Sequence, residues 1–443
     1  MTDDPVLRLP GFQIGKTGIE RTYEDSLRGR AGTRSIEVNS SGRMVRELGE
    51  EKGVMGNQVS LTIDRELQER TMEILSQHHS AAAIVMNVHT GAIYTLASFP
   101  SFDPNLFATR LPSAIWKQWN EDPGKPLTNK AVSGQYPPGS TFKMITALAA
   151  LEAGIVNDSK AFYCPGHFNV GKERFHCWKR QGHGYMNVYT ALEESCDVYF
   201  YNLAEQLGID RIAAMSRRFG FGHAFDIALP LEAEGLVPDR QWKRGQFETG
   251  WQLGETINAT IGQGYMLATP LQLAVMTARL CNGGYAVNPW IVAQDGPDIL
   301  SKKGKQWPKM KVKSEYLQMV TRGMELVMTG KDGTARGAAI KTEGWEMAGK
   351  TGTAQVRRIT MAERRAGLLS QEEMIWKHRH HALFVGYAPI SNPTYAVSVI
   401  VEHGGSGSGA AAPVARDVLI ATQEIDPANK AVKTTPIKPK LVD

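Results

Sequence analysis

Tyr136-Pro137-Pro138-Gly139-Ser140-Thr141-Phe142-Lys143 is the stretch on which the fold turns. Its Pro and Gly residues break regular structure, and residues 144–153, rich in Ala and Leu, predict a helix directly after it. Ser140 therefore stands at a helix start, with Lys143 three residues on and on the same face. A lysine that gives up its proton can there activate a serine as a nucleophile. The free N–H groups and dipole of the helix N-terminus favour negative charge developing beside that serine. An S-x-x-K pair alone is not specific, since a polar first turn gives the same letters.

Outward from this turn, residues 82–99 hold two apolar runs around Asn87-Val88-His89-Thr90-Gly91 and predict a β-hairpin. Residues 382–388 and 395–401, around Ser391-Asn392-Pro393, predict a second hairpin. Residues 345–360 read as a strand running into a loop, residues 187–220 and 265–281 as helices, and residues 413–423 as a closing helix. Residues 59–63 alternate like a strand, and Asp64 reads as the N-cap of a helix over 65–78. This order predicts an α+β domain: one antiparallel sheet assembled from both ends, with an all-helical insert between. Residues 1–57 are polar, charged and Gly-rich, and read as a small or incomplete domain of strands and loops. The expected division is 1–57, then 58–427, then a disordered tail over 428–443 carrying Lys430, Lys433, Lys438 and Lys440.

Composition bounds the function. The 443 residues are 42% hydrophobic and 21% charged, enough for a sizeable core. Net charge is +5, and no Lys/Arg run is dense enough to track a phosphate backbone, so nucleic acid is not expected as the main partner. Four cysteines exclude a disulfide-rich scaffold. No stretch of 18 apolar residues spans a membrane, and no signal peptide is visible.

Two further motifs follow the serine in order. The first is Ser195-Cys196-Asp197, and the second is Lys350-Thr351-Gly352-Thr353 on the predicted strand. On a strand edge Lys350 offers a cation to a substrate carboxylate, Thr351 and Thr353 offer hydroxyls, and Gly352 allows close backbone approach. Lys16-Thr17-Gly18 repeats the tripeptide but precedes the serine, so the ordered set carries the specificity.

This set resembles penicillin-binding proteins and serine β-lactamases. Residues 136–143 are similar to the nucleophile segment of the class B penicillin-binding proteins. Gly262-Gln263-Gly264 with Ala268-Thr269-Pro270-Leu271-Gln272, and residues 222–238, are similar to other parts of that family. The likeness covers nearly the whole chain and is greatest for the elongation-specific, type-2 group. Residues 15–32 resemble remains of its N-terminal pedestal, so 1–57 would be a pedestal remnant and 58–427 the transpeptidase domain. Two departures stand out. Asp197 replaces the Asn of many relatives, as it often does in the type-2 group. The family's membrane anchor is not present before the pedestal, which implies a soluble piece of a protein otherwise held at the inner membrane, facing the periplasm.

The resemblance implies a peptidoglycan D,D-transpeptidase that needs no cofactor for catalysis. Ser140 would attack the penultimate carbonyl of a stem peptide ending in D-Ala-D-Ala, with Lys143 as base. The N–H groups of Ser140 and Thr353 would form the oxyanion hole. Ser195 would pass the proton to the leaving nitrogen, Asp197 would orient Lys143, and Lys350, Thr351 and Thr353 would meet the substrate carboxylate. An amine of a second stem peptide would resolve the acyl-enzyme, and β-lactam antibiotics would trap it. By the same analogy, partners would be a membrane glycosyltransferase and a scaffold protein of the elongation machinery. The alternatives are a D,D-carboxypeptidase or β-lactamase-type hydrolase, a non-enzymatic penicillin sensor, and a scaffold that has kept the fold.

Cys164, Cys177, His183 and Cys196 form C-x12-C-x5-H-x12-C, a Cys3His complement for a structural zinc ion. If Ser195 and Asp197 face the cleft, Cys196 between them faces away, and zinc would tie residues 164–187 to the second motif. Reduced buried thiols, or a Cys164–Cys177 disulfide, are the competing readings, and Cys281 reads as core. Residues 356–381, with Arg357, Arg358, Arg364 and Arg365, read as a basic loop beside the cleft: either a solvated loop or a lid attracting acidic stem peptides.

Overall fold

Among the described residues, the N-terminal end is formed by two short helices and a ribbon. The computed structural model describes residues 14–107, 111–293, 307–356, 370–371 and 373–430. Helical turns Gly18–Thr22 and Glu24–Arg28 precede an antiparallel pair, β1 (Thr33–Val38) and β2 (Met44–Glu51), whose residues are all exposed. The two helical turns were not legible in the polar, Gly-rich sequence. Thr22 Oγ1 donates to Ala228 O at 2.9 Å, joining this end to the helical region. The predicted strand over 59–63 shortens to β3 (Ser60–Leu61). Asp64 caps the next helix as expected, accepting from the Leu67 N–H at 3.0 Å, and the helix runs Arg65–Leu75.

Both predicted hairpins form, as β4 (Ala81–Asn87) with β5 (Ile93–Phe99) and, near the other end, β12 (His381–Ala388) with β13 (Tyr395–Val401). With β11 (Ala348–Ala354) they make one antiparallel sheet in the order β11-β12-β13-β4-β5. The pairing of β13 with β4 joins strands from opposite ends of the chain, with Val397 opposite Val85. Every residue of β4 is buried, which is why its sequence is a continuous apolar run rather than an alternating one. Ala82, Ile84 and Met86 enter one core, and Ala81, Ala83 and Val85 enter the other. The helix Pro270–Cys281 packs on the first face, while Arg65–Leu75 and Ala412–Ile425 cover the second.

The insert between the hairpins is not all-helical. Its helices include Lys143–Glu152, Val188–Glu193, Ile209–Arg218 and Leu253–Thr260. It also carries β6 (Phe162–Cys164) paired with β9 (Gly184–Met186), and β7 (His167–Val170) paired with β8 (Glu173–His176). A short β10 (Val292–Ala293) pairs with β3. The helix Ser314–Thr329, absent from the sequence reading, packs against Val188–Glu193, β11 and Lys143–Glu152. No helix among the described residues is long and apolar enough to cross a membrane. Residues 431–443 of the expected tail lie outside the described residues, but Lys430 Nζ reaches Asp64 Oδ2 at 2.9 Å.

The contrast between the sheet and the ribbon is testable. Ile84 is 0% exposed and Ile36 is 45% exposed. Ile84→Ala is expected to cost about 2–5 kcal/mol of unfolding free energy in urea titration, whereas Ile36→Ala should stay within about 0.5 kcal/mol. Equal costs would contradict the placement of the two residues.

Candidate active site

Ser140 lies in a 3-10 turn, Gly139–Phe142, that runs straight into the helix Lys143–Glu152. Gly139 takes φ +55°, a left-handed value that glycine adopts at little cost. Its N–H donates to Gly262 O at 2.9 Å, and a Cβ there would fall 2.7 Å from Thr353 O. The turn that carries Ser140 is thus wedged between the Gly262-Gln263-Gly264 segment and the end of β11.

Lys143 is fully buried, and its ammonium has three acceptors: Asp197 Oδ1 at 2.7 Å, Ser195 O at 2.8 Å and Ser195 Oγ at 3.2 Å. Those use all three of its protons. The second motif is bent to supply them. Ser195 has φ +55°, a left-handed conformation that costs a non-glycine residue about 1–2 kcal/mol. Asp197 begins a short helix, Asp197–Tyr201, and its Oδ2 accepts from the Trp178 N–H at 3.1 Å. Burial raises the Asp197 carboxyl above its ordinary value, opposed chiefly by the Lys143 charge.

On β11, Lys350 is 0% exposed and donates to Thr351 O at 3.3 Å. Burial, with the nearby Lys143 charge, presses it well below its usual ammonium range. Gly352 stands against the turn that carries Ser140. A Cβ at Gly352 would meet Thr141 Cγ2 at 2.8 Å and Pro138 O at 3.0 Å, so the missing side chain admits that turn. Thr351 Oγ1 lies 3.1 Å from Thr334 Oγ1, and Thr353 O accepts from Gln263 Nε2 at 3.0 Å.

Cys196 turns away from Ser195 and Asp197, as expected, and joins Cys164, Cys177 and His183, whose ligand atoms all lie within 4.8 Å of one another. His183 Nδ1 stands 3.5 Å from both Cys164 Sγ and Cys177 Sγ. A tetrahedral zinc with Zn–S of about 2.3 Å and Zn–N of about 2.0–2.1 Å separates its sulfur and nitrogen ligands by about 3.5 Å, so the donor set fits. The buried His183 Nε2 has no hydrogen-bond partner and lies 3.9 Å from Glu194 Oε2. A hydrogen bond from Cys196 is the main influence lowering the Cys177 thiol to about 3, while burial raises that of Cys164. All four cysteines are free, so the Cys164–Cys177 disulfide is not formed. Cys281 ends its helix half-buried and outside this group.

Sequence reasoning missed Trp178, Thr334 and the link made by Gln263. The Trp178 indole N–H donates to Glu194 O at 3.0 Å and Ser195 O at 3.1 Å, pinning the carbonyl that also receives Lys143. Thr334 is held by its N–H on Glu193 O at 3.3 Å. Neither residue belongs to a recurrent motif, so only the fold brings them in. Of the basic loop, Arg357, Arg358, Arg364 and Arg365 lie outside the described residues.

Residues 81–420 match the penicillin binding protein transpeptidase domain, and residues 8–61 match the penicillin-binding protein dimerisation domain. The chain belongs to the penicillin-binding protein transpeptidase family. It is 38% identical over 439 residues to the peptidoglycan D,D-transpeptidase MrdA of Acinetobacter baumannii, covering 96% of this chain and 64% of that protein. The chain therefore spans less than two thirds of that relative's length. Among solved structures it is similar to PBP2 of Helicobacter pylori in complex with MreC, with TM-score 0.82 and 30% identity over 93% of this chain and 72% of that one. It is also similar to Pseudomonas aeruginosa PBP2 in complex with WCK 5153, with TM-score 0.78 and 37% identity over 95% and 86% of the two chains.

The tight seat of Gly352 makes a stability prediction. Gly352→Ala should cost about 1–3 kcal/mol by overpacking, read by denaturant unfolding. Gly337→Ala, where an added Cβ meets nothing within 4 Å, should change little. An unaltered Gly352→Ala protein would contradict the contact between β11 and the Ser140 turn.

Proposed function

We propose that this chain carries a peptidoglycan D,D-transpeptidase that joins stem peptides through a Ser140 acyl-enzyme during cell-wall elongation and is trapped by β-lactams. The observation that carries the reading is the buried Lys143, three residues from Ser140 and bonded to both Ser195 and Asp197 beside the Lys350 strand. Family membership and the named transpeptidase relative support it.

In this reading Ser140 Oγ attacks the penultimate carbonyl of a D-Ala-D-Ala donor. Lys143 Nζ, in its neutral form, accepts the Ser140 proton as the new bond forms, and Ser195 Oγ, 3.2 Å away, is the relay by which that proton moves on. The same hydroxyl then passes a proton to the leaving D-Ala nitrogen. The N–H groups of Ser140 and Thr353 receive the developing oxyanion. Thr351 and Thr353 bind the donor carboxylate, whose charge would draw Lys350 back towards its protonated form. Asp197 holds Lys143. The acceptor amine then attacks the ester and releases Ser140.

Residues 1–57 serve as the pedestal remnant and 58–427 as the transpeptidase domain, in keeping with the dimerisation-domain match over 8–61. The chemistry belongs in the periplasm, at the inner membrane. A membrane glycosyltransferase and an MreC-like scaffold are the proposed partners, the latter supported by the Helicobacter pylori complex. Cys164, Cys177, His183 and Cys196 would hold a structural zinc ion that stiffens the 162–186 segment behind the second motif, with Glu194 steadying His183.

Ser140→Ala is expected to abolish the covalent penicillin adduct seen by intact mass while leaving the unfolding midpoint unchanged; a persisting adduct would refute the assignment. Lys143→Ala should slow acylation by about 10²–10⁴-fold, and an unchanged rate would remove Lys143 from proton transfer.

For the metal, elemental analysis after mild chelator washing should find one zinc per chain, with four thiols titrating after denaturation in excess chelator. Protein without zinc, or with two thiols, would exclude the site.

A further inference from the structure

Glu402 follows the last residue of β13 and sits where three segments converge. Its Oε1 accepts from Tyr136 Oη at 2.9 Å, and its Oε2 accepts from Ser80 Oγ at 2.5 Å. Its backbone N–H donates to Ser80 O at 2.8 Å, at the start of β4. Tyr136 is 7% exposed, and Ser80 is 0% exposed. The Tyr136 ring is seated closely: a Cβ at Gly134 would fall 2.6 Å from it, and the His381 ring meets it edge-on at 5.4 Å. Tyr136 is also hydrogen-bonded to Ala268 through both backbone groups at 2.9 Å.

Two chain segments leave this point towards the reacting centre. From Tyr136, Pro137 and Pro138 lead to Gly139 and Ser140, and two prolines in succession leave little slack in φ. From Glu402, the chain runs to Gly407, which rests on β11: a Cβ there would fall 2.4 Å from Gly352 O, and its N–H lies 3.5 Å from Thr353 Oγ1. We infer that Glu402 is a positioning residue for the reaction, a carboxylate that fastens the lead-in to Ser140, through Tyr136, to the segment that backs Gly352 and Thr353. It thereby sets the separation of the two N–H groups assigned to the oxyanion hole. This rests on the reading of Ser140 as nucleophile.

The chemistry of the surroundings suits a fixed carboxylate. Burial and the Glu402 charge push the Tyr136 phenol well above its ordinary range, so it remains a neutral donor. Lys130, 1% exposed, donates to Lys125 O at 3.2 Å and feels the Glu402 charge. The phenol-to-carboxylate bond is charge-assisted, the stronger class of hydrogen bond. Donors that converge at the oxyanion act only if held at about 2.7–3.1 Å, so a small shift of the turn should slow the chemical step without weakening initial binding.

The test uses the whole chain, benzylpenicillin and rapid-quench mass spectrometry, with rates expressed per acylatable site. Tyr136→Phe keeps the ring and removes the hydroxyl. Its acylation rate constant should fall about tenfold, with the dissociation constant of the pre-covalent complex unchanged. Glu402→Gln should show a similar loss, and the double variant should be little worse than Glu402→Gln alone. A wild-type rate in Tyr136→Phe, a loss confined to pre-covalent affinity, or additive losses would each overturn the positioning role. Absence of acylation in the unsubstituted chain would instead overturn the reading of Ser140.

Discussion

The buried ammonium of Lys143 is the constraint around which the site is arranged. A charge with no exposed surface costs several kcal/mol in lost hydration unless its protons are met by well-placed acceptors. Here the second motif delivers them, at 2.7, 2.8 and 3.2 Å. Ser195 presents its carbonyl and hydroxyl to one cation from a left-handed backbone, whose cost of about 1–2 kcal/mol is small beside that of an unpaired buried lysine. The Trp178 indole N–H donates to the same carbonyl at 3.1 Å. Cys196, between two residues whose side chains both meet Lys143, joins the buried Cys3His cluster.

The sheet supplies the second half of the arrangement. The outer strand β11 carries Lys350 to Thr353 against the Ser140 turn, and glycines at 139, 262 and 352 allow an approach that any side chain would block. The helix Ser314–Thr329 supports β11 and the helix Lys143–Glu152 from one side. The loop through Gly407 supports the strand from another. Ser140 is therefore placed by contacts with segments far from it in sequence.

Much of this was legible beforehand, for local reasons. The strands announced themselves as apolar runs broken by turn residues, and Asp64 announced a helix start through capping chemistry. The outward turn of Cys196 followed from the spacing of Ser195 and Asp197. The rest depended on encounters between distant segments. Tyr136 and Glu402 are 266 positions apart, and Gln263 meets Thr353 across 90. The strands within residues 162–176 are three or four residues long, too short for a periodic signal. That Gly352 meets Thr141 and Pro138 is likewise a property of the fold.

The proposed reaction is transfer of an acyl group from a peptide to an amine. It is tested by presenting the chain with a thioester analogue of the D-Ala-ended donor and a D-amino acid acceptor, and following donor consumption, hydrolysis and amide product together. A transpeptidase of this kind gives amide product that rises with acceptor concentration, a Ser140-linked acyl intermediate, and loss of both on prior treatment with penicillin. Donor consumption that yields only hydrolysis at every acceptor concentration, or no acyl intermediate on Ser140, would contradict it.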